Sequence, residues 1–248
     1  MSEKNIVELP FLRWLSGDPA DPADTGLGWT YRAAEDMAAF DRHESDPLIE
    51  ALLLPALRRI NPAIGNDEQA RRVIAEFRKL LALPDPLEAN RRTLDALRDG
   101  LPLVLNAGED ARTIRLIALS PEQHHLNDFT VTNQYAIKGN KTVKADTVLL
   151  VNGIPLVVAE YKSVQASKHD WTEGVKQVHR YMRSAPALLT SNVFCVAADE
   201  QLFRFGTVAF NAASEREVNK QREFWQPWLS QYPAQRLACC SRALCWIF

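Results

Sequence analysis

An Asn-Gly step at residues 152–153 divides two long apolar runs in the middle of the chain, ADTVLLV before it and IPLVVAEYK after it. Asn-Gly accepts the positive φ angles of a type I′ turn, whose twist matches that of two antiparallel strands. Both runs are rich in Val, Ile and Leu, as strands within a buried sheet are. The segment therefore predicts a β-hairpin that places the beginning of its first strand beside the end of its second.

Three charged residues occupy that shared end of the predicted hairpin. Asp146 stands at the start of the first run, and Glu160 and Lys162 are two residues apart, so that a strand would place both side chains on one face. Carboxylate oxygens suit Mg²⁺, which offsets charge in phosphodiester hydrolysis, and a lysine can hold the attacking water. These residues alone leave two interpretations open, a nuclease site and an exposed strand face, of which the second is commoner for so short a motif.

The residues after the hairpin predict a helix, WTEGVKQVHRYMRSA, on which Gln177 and Tyr181 are four residues apart and share one face. Between residues 134 and 183 the chain carries eight Lys or Arg and four Asp or Glu, although its formal net charge is −2. We expect a phosphate-binding patch here, with an ordinary exposed helix face as the alternative. The patch residues on or near the helix are Lys168, Lys176, Arg180 and Arg183.

The N-terminal residues predict a loop-rich segment followed by a helix. Residues 1–30 contain two Asp-Pro steps, which disfavour helix before each proline. Apolar residues at helical spacing then predict a helix over residues 45–60, with Asp46 as its cap. Pro55 lies inside that pattern and is expected to kink or break the helix.

Two further helices are predicted over residues 66–83 and 86–98, the latter with Leu87, Leu94 and Leu97 facing inward. Beyond residue 100, short runs rich in Val, Ile, Leu and Thr alternate with turn residues and predict strands. These runs include LPLVLN, TIRLIAL, DFTVTNQYAI, SNVFCVAAD and LFRFGTVAF, and a helix-like EREVNKQREFWQPWL follows them. The pattern predicts an α/β fold, with a mixed central β-sheet flanked by helices and a helical N-terminal part.

Composition excludes several other classes of protein. The chain has 248 residues, of which 46% are hydrophobic and 24% charged, as in a globular protein with one sizeable core. No apolar run approaches the roughly 20 residues that span a bilayer, and the start lacks a secretory signal, so a cytoplasmic protein without membrane contact is expected. The cysteines lack the paired spacing of a zinc site. They are Cys195, Cys239, Cys240 and Cys245.

Several motifs in a fixed order resemble one family. NDFTVTNQYAI, KADTVLLVNGIPLVVAEYKS and the Gln-x-x-x-Tyr helix resemble the N-terminal domain of type I restriction enzyme R subunits (HsdR), which has the PD-(D/E)xK nuclease fold. LGWTY, RRINP, EANRRTLDALRDG and SNVFCVAADEQLFRFGT extend the resemblance over about residues 27–206. It implies a nuclease domain with a restriction-endonuclease-like core over residues 31–210, after a loop-rich segment over 1–30.

The resemblance also implies roles for particular residues. Asp146 and Glu160 would bind the metal, Lys162 would be the third catalytic residue, and Gln177 and Tyr181 would match an element that supports catalysis beside them.

Weaker candidates come from the same resemblance. An acidic residue on the first core helix often assists in this nuclease fold, and Glu50 is the candidate, with an ordinary surface glutamate as the favoured alternative. Asn127 and Gln134 match polar positions of the family, or they only brace turns and strand ends.

The C-terminal part departs from the family. R subunits continue into a helicase-like motor that hydrolyses ATP, whereas this chain has no G-x-x-x-x-G-K-[ST] motif and ends in QRLACCSRALCWIF. We hypothesise a truncated or frame-shifted gene product, in which the C-terminal segment over residues 211–248 ends before the motor and the final dozen residues are not native family sequence. If the coding DNA downstream contains no motor-like sequence in any frame, this hypothesis is wrong.

Three functions are compatible with the sequence. The first is a Mg²⁺-dependent endonuclease domain, part of a type I site-specific deoxyribonuclease. It would act on double-stranded DNA with methyltransferase and specificity subunits as partners, and would use ATP only through the motor. The second is a DNA-binding or assembly remnant that does not cut. The third is a stand-alone nuclease of another PD-(D/E)xK branch, such as a repair enzyme.

Overall fold

The computed structural model describes residues 7–40, 42–164, 169–207 and 225–227 of the chain. The described strands are β1 Thr30–Arg32, β2 Leu101–Leu103, β3 Arg112–Ile114, β4 Phe129–Lys138, β5 Thr142–Val151, β6 Ile154–Tyr161, β7 Phe194–Ala198, β8 Phe203–Gly206 and β9 Gln226–Pro227. Among them, seven form one sheet in the order β1-β4-β5-β6-β7-β8-β9, while β2 and β3 pair separately.

The sheet is mixed. β4, β5 and β6 form an antiparallel meander, and β6 then pairs in parallel with β7, as β1 does with β4. A parallel pair requires a crossover connection, and the helix Trp171–Ser184 lies in the chain between β6 and β7. This arrangement confirms the predicted α/β fold with a mixed central sheet and a restriction-endonuclease-like core.

Three of the described helices begin at local capping signals. The described helices are α1 Leu9–Ser16, α2 Ala34–Ala38, α3 Glu50–Ile60, α4 Asp67–Leu81, α5 Pro86–Asp99 and α6 Trp171–Ser184. The side chains of Asn66, Asp85 and Asp170 accept backbone N–H bonds at the starts of α4, α5 and α6, which satisfies donors that a helix leaves free. Three of the predicted helices are therefore confirmed to within a few residues.

Two apolar clusters cover the two faces of the sheet. Leu149 and Val157 of β5 and β6 face the first cluster, which contains α1, α3 and α4 residues such as Phe77. Val148 and Val158, their immediate neighbours in sequence, face the second cluster with α6. Each fully buried side chain of this kind contributes about 2 kcal/mol of hydrophobic stabilisation. The turn-side halves of β5 and β6 are therefore buried on both faces, which explains the continuous apolar sequence of the hairpin.

Three predictions for the N-terminal part are corrected by the structure. The segment predicted to be loop-rich contains α1, because Leu12 and Leu15 are buried against the sheet. The helix predicted from residue 45 begins at Glu50, because the Asp46 side chain instead accepts from Leu48 N and binds Arg78.

α3 also continues through Pro55. A proline inside a helix costs about 3 kcal/mol, and burial of Leu53, Ala56 and Leu57 on both sides of it offsets that cost.

Other element predictions are also corrected. LPLVLN and TIRLIAL supply only β2 and β3, which lie outside the central sheet. Leu87 is 51% exposed, because α5 buries the face that carries Ala89, Thr93 and Leu97. The helix predicted over residues 215–229 meets the described residues only at 225–227, where β9 pairs with β8.

Some predicted features lie outside the described residues. They are Lys168, Cys239, Cys240 and Cys245. Cys195 is described and lies buried in β7 as a free thiol. Among the described helices, none is long and apolar enough to cross a membrane.

Trp225 and the two residues after it pack against β8 at Gly206. Trp225 is 3% exposed, and a Cβ atom on Gly206 would lie 2.7 Å from the Trp225 ring. The indole therefore fills a slot that only glycine leaves open.

Candidate active site

β4 and β5 change the face that they bury at Gln134 and Asp146. Ala145 and Val148 are three residues apart, so regular alternation would place them on opposite faces, yet both pack in the second cluster. Gln134 lies opposite Asp146 in the register and has a φ of 50°, in the left-handed region. The change of face leaves Gln134 exposed and the Asp146 side chain 21% exposed, instead of burying either in a core.

β5 and β6 separate at the same level. Their last paired residues are Thr147 and Ala159. Beyond that pair, Asp146 N donates to Glu160 Oε1 at 3.2 Å, and Tyr161 N donates to Asp146 Oδ2 at 3.0 Å. Two carboxylates thus take the place of strand-to-strand backbone bonds and hold the opening between the strands.

Glu160 and Lys162 complete this cluster. Glu160 is fully buried, and its Oε2 atom has no hydrogen-bond partner within the described part of the chain. Lys162 Nζ lies 3.9 Å from that oxygen and 3.9 Å from Asp146 Oδ2, and it donates to Tyr161 O at 2.8 Å. The structure brings the predicted triad together, although Asp146 lies in the middle of β5 and not at its start. The catalytic roles of these residues stay predictions.

α6 holds Glu160 from the other side. Tyr181 Oη is 2.8 Å from Glu160 Oε1 and 2.7 Å from Lys144 O, and it accepts from Gln177 Nε2 at 2.7 Å. Gly174 of the helix packs closely on β6 and β7, since a Cβ atom there would lie 3.3 Å from the Ala197 Cβ atom and 3.4 Å from the Glu160 Cβ atom. The predicted pair of Gln177 and Tyr181 therefore contacts the cluster directly.

The electrostatics of the site centre on Glu160. Burial raises the pKa of its carboxyl well above the ordinary value of 4.5, and the charge of Asp146 raises it further. Lys162 and the hydrogen bond from Tyr181 act in the opposite direction on this pKa. Burial and the nearby Glu160 also raise the pKa of Tyr181, so its hydroxyl stays a donor at neutral pH.

Asp146 and Glu160 fit a hard divalent cation. A buried carboxylate oxygen without a partner is costly, and a cation would satisfy Glu160 Oε2. Mg²⁺ commonly binds through one or two carboxylates and keeps several waters. Within the described residues, no group of three or more His, Cys, Asp or Glu is placed to hold a metal ion.

Glu50 lies away from the cluster. It is paired with Arg78 at 2.9 Å and Arg71 at 3.7 Å. Ile49 N donates to Gly153 O at 2.9 Å, so the start of α3 lies at the turn end of the hairpin. At ~3.4 Å per residue, that end is about 17 Å along β5 from Asp146. The alternative of a surface glutamate fits this position.

Asn127 and Gln134 differ from each other. Asn127 is buried near the hairpin turn, where its Oδ1 accepts from Ala118 N and Asn152 Nδ2, both at 3.0 Å, so it braces that end. Gln134 Nε2 lies 3.5 Å from Asp146 Oδ1, at the limit of a hydrogen bond. Only Gln134 reaches the candidate site.

Glu8 is a carboxylate that the sequence reasoning missed. It is 5% exposed at the start of α1, and its Oε1 accepts from Asn133 Nδ2 at 3.1 Å. Tyr31 Oη donates to Asn133 Oδ1 at 3.1 Å. This chain of bonds fixes β4 at the residue before Gln134. The available signal was the apolar PFLRWL run after Glu8, which is typical of a buried helix.

The predicted basic patch is smaller than its sequence suggested. Lys176 Nζ and Arg180 Nη1 pair with Glu173 at 3.3 and 2.9 Å, so two of its cations are partly neutralised.

A groove of about 820 Å³ runs beside the site between α2 and β4, with Gln134 and Lys144 in its lining.

Comparison with known proteins agrees with the resemblance. The model of the family "Type I restriction enzyme R protein N terminus" matches residues 15–212. The chain is 29% identical over 181 residues to the putative type I restriction enzyme MjaVIIIP endonuclease subunit of Methanocaldococcus jannaschii, which covers 71% of this chain and 17% of that protein. It is 26% identical over 191 residues to the type I restriction enzyme HindI endonuclease subunit of Haemophilus influenzae, covering 74% and 18% of the two chains.

A shorter match of 33% identity over 108 residues is found with the SauCOLORF180P endonuclease subunit of Staphylococcus aureus, over 44% of this chain and 11% of that one. The chain therefore spans less than a fifth of the length of these curated relatives. Since the family model covers well over half of its residues, the chain belongs to the family of type I restriction enzyme R protein N-terminal domains.

Proposed function

We propose that this chain is a nuclease domain of a type I restriction system, which hydrolyses phosphodiester bonds of double-stranded DNA with Mg²⁺ as cofactor. The curated relatives are named endonuclease subunits. The observation that carries the proposal is the convergence of Asp146, Glu160 and Lys162 where β5 and β6 separate, with one Glu160 oxygen buried and without a hydrogen-bond partner among the described residues.

Asp146 and Glu160 are the residues that would hold the cation. When bound there, Mg²⁺ would polarise a phosphate oxygen and stabilise the negative charge that develops on it. Asp146 Oδ2 is already fixed by Tyr161 N, and Glu160 Oε1 by Tyr181 and Asp146 N, so both carboxylates are oriented before any ligand arrives.

Lys162 lies between the carboxylates, 3.9 Å from each. From that position its ammonium can hold the attacking water by a hydrogen bond, and its charge favours the transition state. Gln177 and Tyr181 act on Glu160 and not on the phosphate, because Tyr181 Oη bonds to Glu160 Oε1. We assign them as positioning residues.

The partners and the energy source are proposals of the same kind. Methyltransferase and specificity subunits would direct the domain to DNA, and ATP would be used only by a motor region that lies outside this segment of the relatives. The family match argues against a stand-alone nuclease of another branch. A DNA-binding or assembly remnant that does not cut is the second candidate, and it would have the same fold and the same cations.

Plasmid nicking by the purified chain in Mg²⁺ tests the proposal. We expect nicking to fall about 10²–10³-fold in Glu160→Ala, which weakens the electrostatic stabilisation that the cation would supply, and about 10²–10⁴-fold in Lys162→Ala, which removes the group that would hold the attacking water. Glu50→Gln is the control, since it removes a carboxylate at the start of α3, beside the turn end of the hairpin, which lies about 17 Å along β5 from Asp146. DNA binding with no Mg²⁺-dependent nicking would favour the remnant, and equal nicking by all variants would refute the site.

A further inference from the structure

Three exposed cations, Lys141, Lys144 and Arg183, lie at one corner of the part of the molecule that the structure describes. Lys141, Lys144 and Arg183 make no salt bridge within the described part of the chain. Their neighbours differ, because Lys138 pairs with Glu44 at 3.2 Å and Arg180 pairs with Glu173. The charges of the three residues are therefore available to a ligand.

The backbone fixes the positions of these residues. The turn between β4 and β5 packs on the end of α6, where Lys141 N donates to Ser184 O at 3.3 Å and Asn140 Nδ2 donates to Arg183 O at 3.3 Å. A Cβ atom on Gly139 would lie 2.2 Å from Ser184 O, so only glycine permits this approach. Two separate elements thus bring their cations to one corner.

This corner leads to the candidate site. Lys144 precedes Asp146 by two residues on β5, about 7 Å along the strand, and Lys141 lies about 17 Å from Asp146 by the same measure. Lys144 O also lies 2.7 Å from Tyr181 Oη, the hydroxyl that bonds to Glu160. One strand of DNA has a phosphate about every 3.4 Å along the helix axis, so the distance from Lys141 to Asp146 corresponds to about five phosphates.

We propose that Lys141, Lys144 and Arg183 form a phosphate-binding ridge that holds the DNA backbone as it approaches the triad. The inference rests on the proposed nuclease function and adds the surface by which the substrate is held. Positive side chains bind DNA by neutralising phosphates, whatever the base sequence. The ridge therefore supplies affinity and orientation without sequence recognition.

A protein partner fits this corner less well than DNA does. The cores of protein interfaces are depleted in lysine and enriched in large apolar side chains. Among the described residues, the exposed large apolar side chains all lie outside residues 138–144 and 171–184. The ridge thus offers charge without the apolar area that a protein partner would need.

The salt dependence of duplex binding tests the ridge. The full chain is kept in EDTA so that no cleavage occurs, and its affinity for a short labelled duplex is measured by fluorescence anisotropy from about 50 to 200 mM salt. The test protein combines Lys141→Gln, Lys144→Gln and Arg183→Gln. The control combines Lys79→Gln, Arg91→Gln and Arg92→Gln, which removes as many charges from α4 and α5, where all three are paired with carboxylates.

We expect the slope of log affinity against log salt to fall by about 3 in the ridge variant, at about 0.9 per phosphate contact, and to stay at the wild-type value in the control. Equal slopes in the two variants would overturn the ridge, as would a wild-type chain that does not bind the duplex. An unchanged slope with lost co-purification of other restriction subunits would assign the corner to a protein instead.

Failure of the ridge and failure of the nuclease are separate results. Plasmid nicking that is lost in Glu160→Ala but kept in the ridge variant at low salt, with no change of slope, would overturn the ridge alone. A wild-type chain that never nicks DNA, yet shows the expected loss of slope in the ridge variant, would overturn the cleavage proposal alone.

Discussion

The two ends of the β5–β6 hairpin belong to the same pair of buried strands, but they differ in how completely their polar groups are hydrogen-bonded. At the turn end, Asn152 Oδ1 accepts from Asp128 N at 2.8 Å, and its Nδ2 donates to Leu116 O and Asn127 Oδ1 at 3.0 Å each. At the separated end, Glu160 Oε2 has no hydrogen-bond partner among the described atoms, and Lys162 Nζ lies 3.9 Å from it. The first end contributes stability, whereas the second retains an unsatisfied charge that a ligand can use.

The largest expected effect on stability tests the turn end. Asn152→Ala removes three hydrogen bonds, those to Asp128 N, Leu116 O and Asn127 Oδ1, of which only Asn127 Oδ1 keeps another partner among the described residues, and it keeps a residue with a side chain at a φ of 54°. At about 1 kcal/mol for each bond, the free energy of unfolding should fall by about 3 kcal/mol. Urea unfolding measures it. Asn140→Ala in the exposed β4–β5 turn is the control, and equal losses in both variants would contradict the contrast.

The opposite sign is expected at the separated end. Glu160→Gln keeps the shape of the side chain and removes a buried charge that has no full compensation, so the metal-free protein should gain about 1–2 kcal/mol of stability. The same variant should lose DNA nicking by at least about 100-fold. Thermal melts in EDTA, with Glu50→Gln as control, measure the gain. A destabilised Glu160→Gln protein would show that the charge is well compensated in the fold.

The gain in stability of Glu160→Gln over wild type should depend on pH, which sharpens the comparison of the two ends. Because the folded state raises the pKa of Glu160, it binds this proton more tightly than the unfolded chain, and wild-type stability falls as pH rises above the ordinary value of 4.5. The advantage of Glu160→Gln should therefore shrink as pH is lowered and vanish below that value.

Another buried group titrates in the same range. Burial lowers the pKa of His179 to about 4, with a smaller effect of Arg183, so stability is lost as pH falls from 6.5 through that value. The measured quantity is therefore the difference between wild type and Glu160→Gln, in which His179 cancels. A difference that is constant with pH would contradict the raised pKa of Glu160.

The smallest effect concerns the support from α6. Tyr181→Phe removes the hydroxyl that joins Gln177 to Glu160, and nicking should fall about 10-fold, equivalent to one hydrogen bond to a charged group. Gln177→Ala acts through the same hydroxyl, so the double variant should be little worse than Tyr181→Phe alone. A double-mutant cycle of nicking rates measures this coupling, and additive losses would show separate roles.

The hairpin and the helices around it were predictable because their signals are local. Asn152 and Gly153 specify the turn, and Asn66, Asp85 and Asp170 cap helices within a few residues of where the pattern placed them. α1 was not predicted, because the two Asp-Pro steps after it indicated a loop-rich segment. Its helix is stabilised by contacts with strands more than a hundred residues away, such as that of Phe11 with the Tyr161 ring.

The candidate site was predictable in its residues and only partly in its geometry. The spacing of Glu160 and Lys162 and the Gln-x-x-x-Tyr pattern identified the side chains that converge. The change of face at Gln134 could not be predicted from the sequence, because glutamine has no preference for the left-handed region that it occupies here. The bond of Glu8 to Asn133 joins residues 125 positions apart, which no local pattern reports.

Trp225 bears on where a folded fragment of this chain can end. Its indole fills the slot over Gly206, and the next two residues form β9 along the edge of β8. A fragment that stopped at residue 210 would leave β8 as an open sheet edge with unpaired backbone groups, which favours pairing between molecules and aggregation. Fragments for expression should therefore extend past residue 227, even though the family match ends at residue 212.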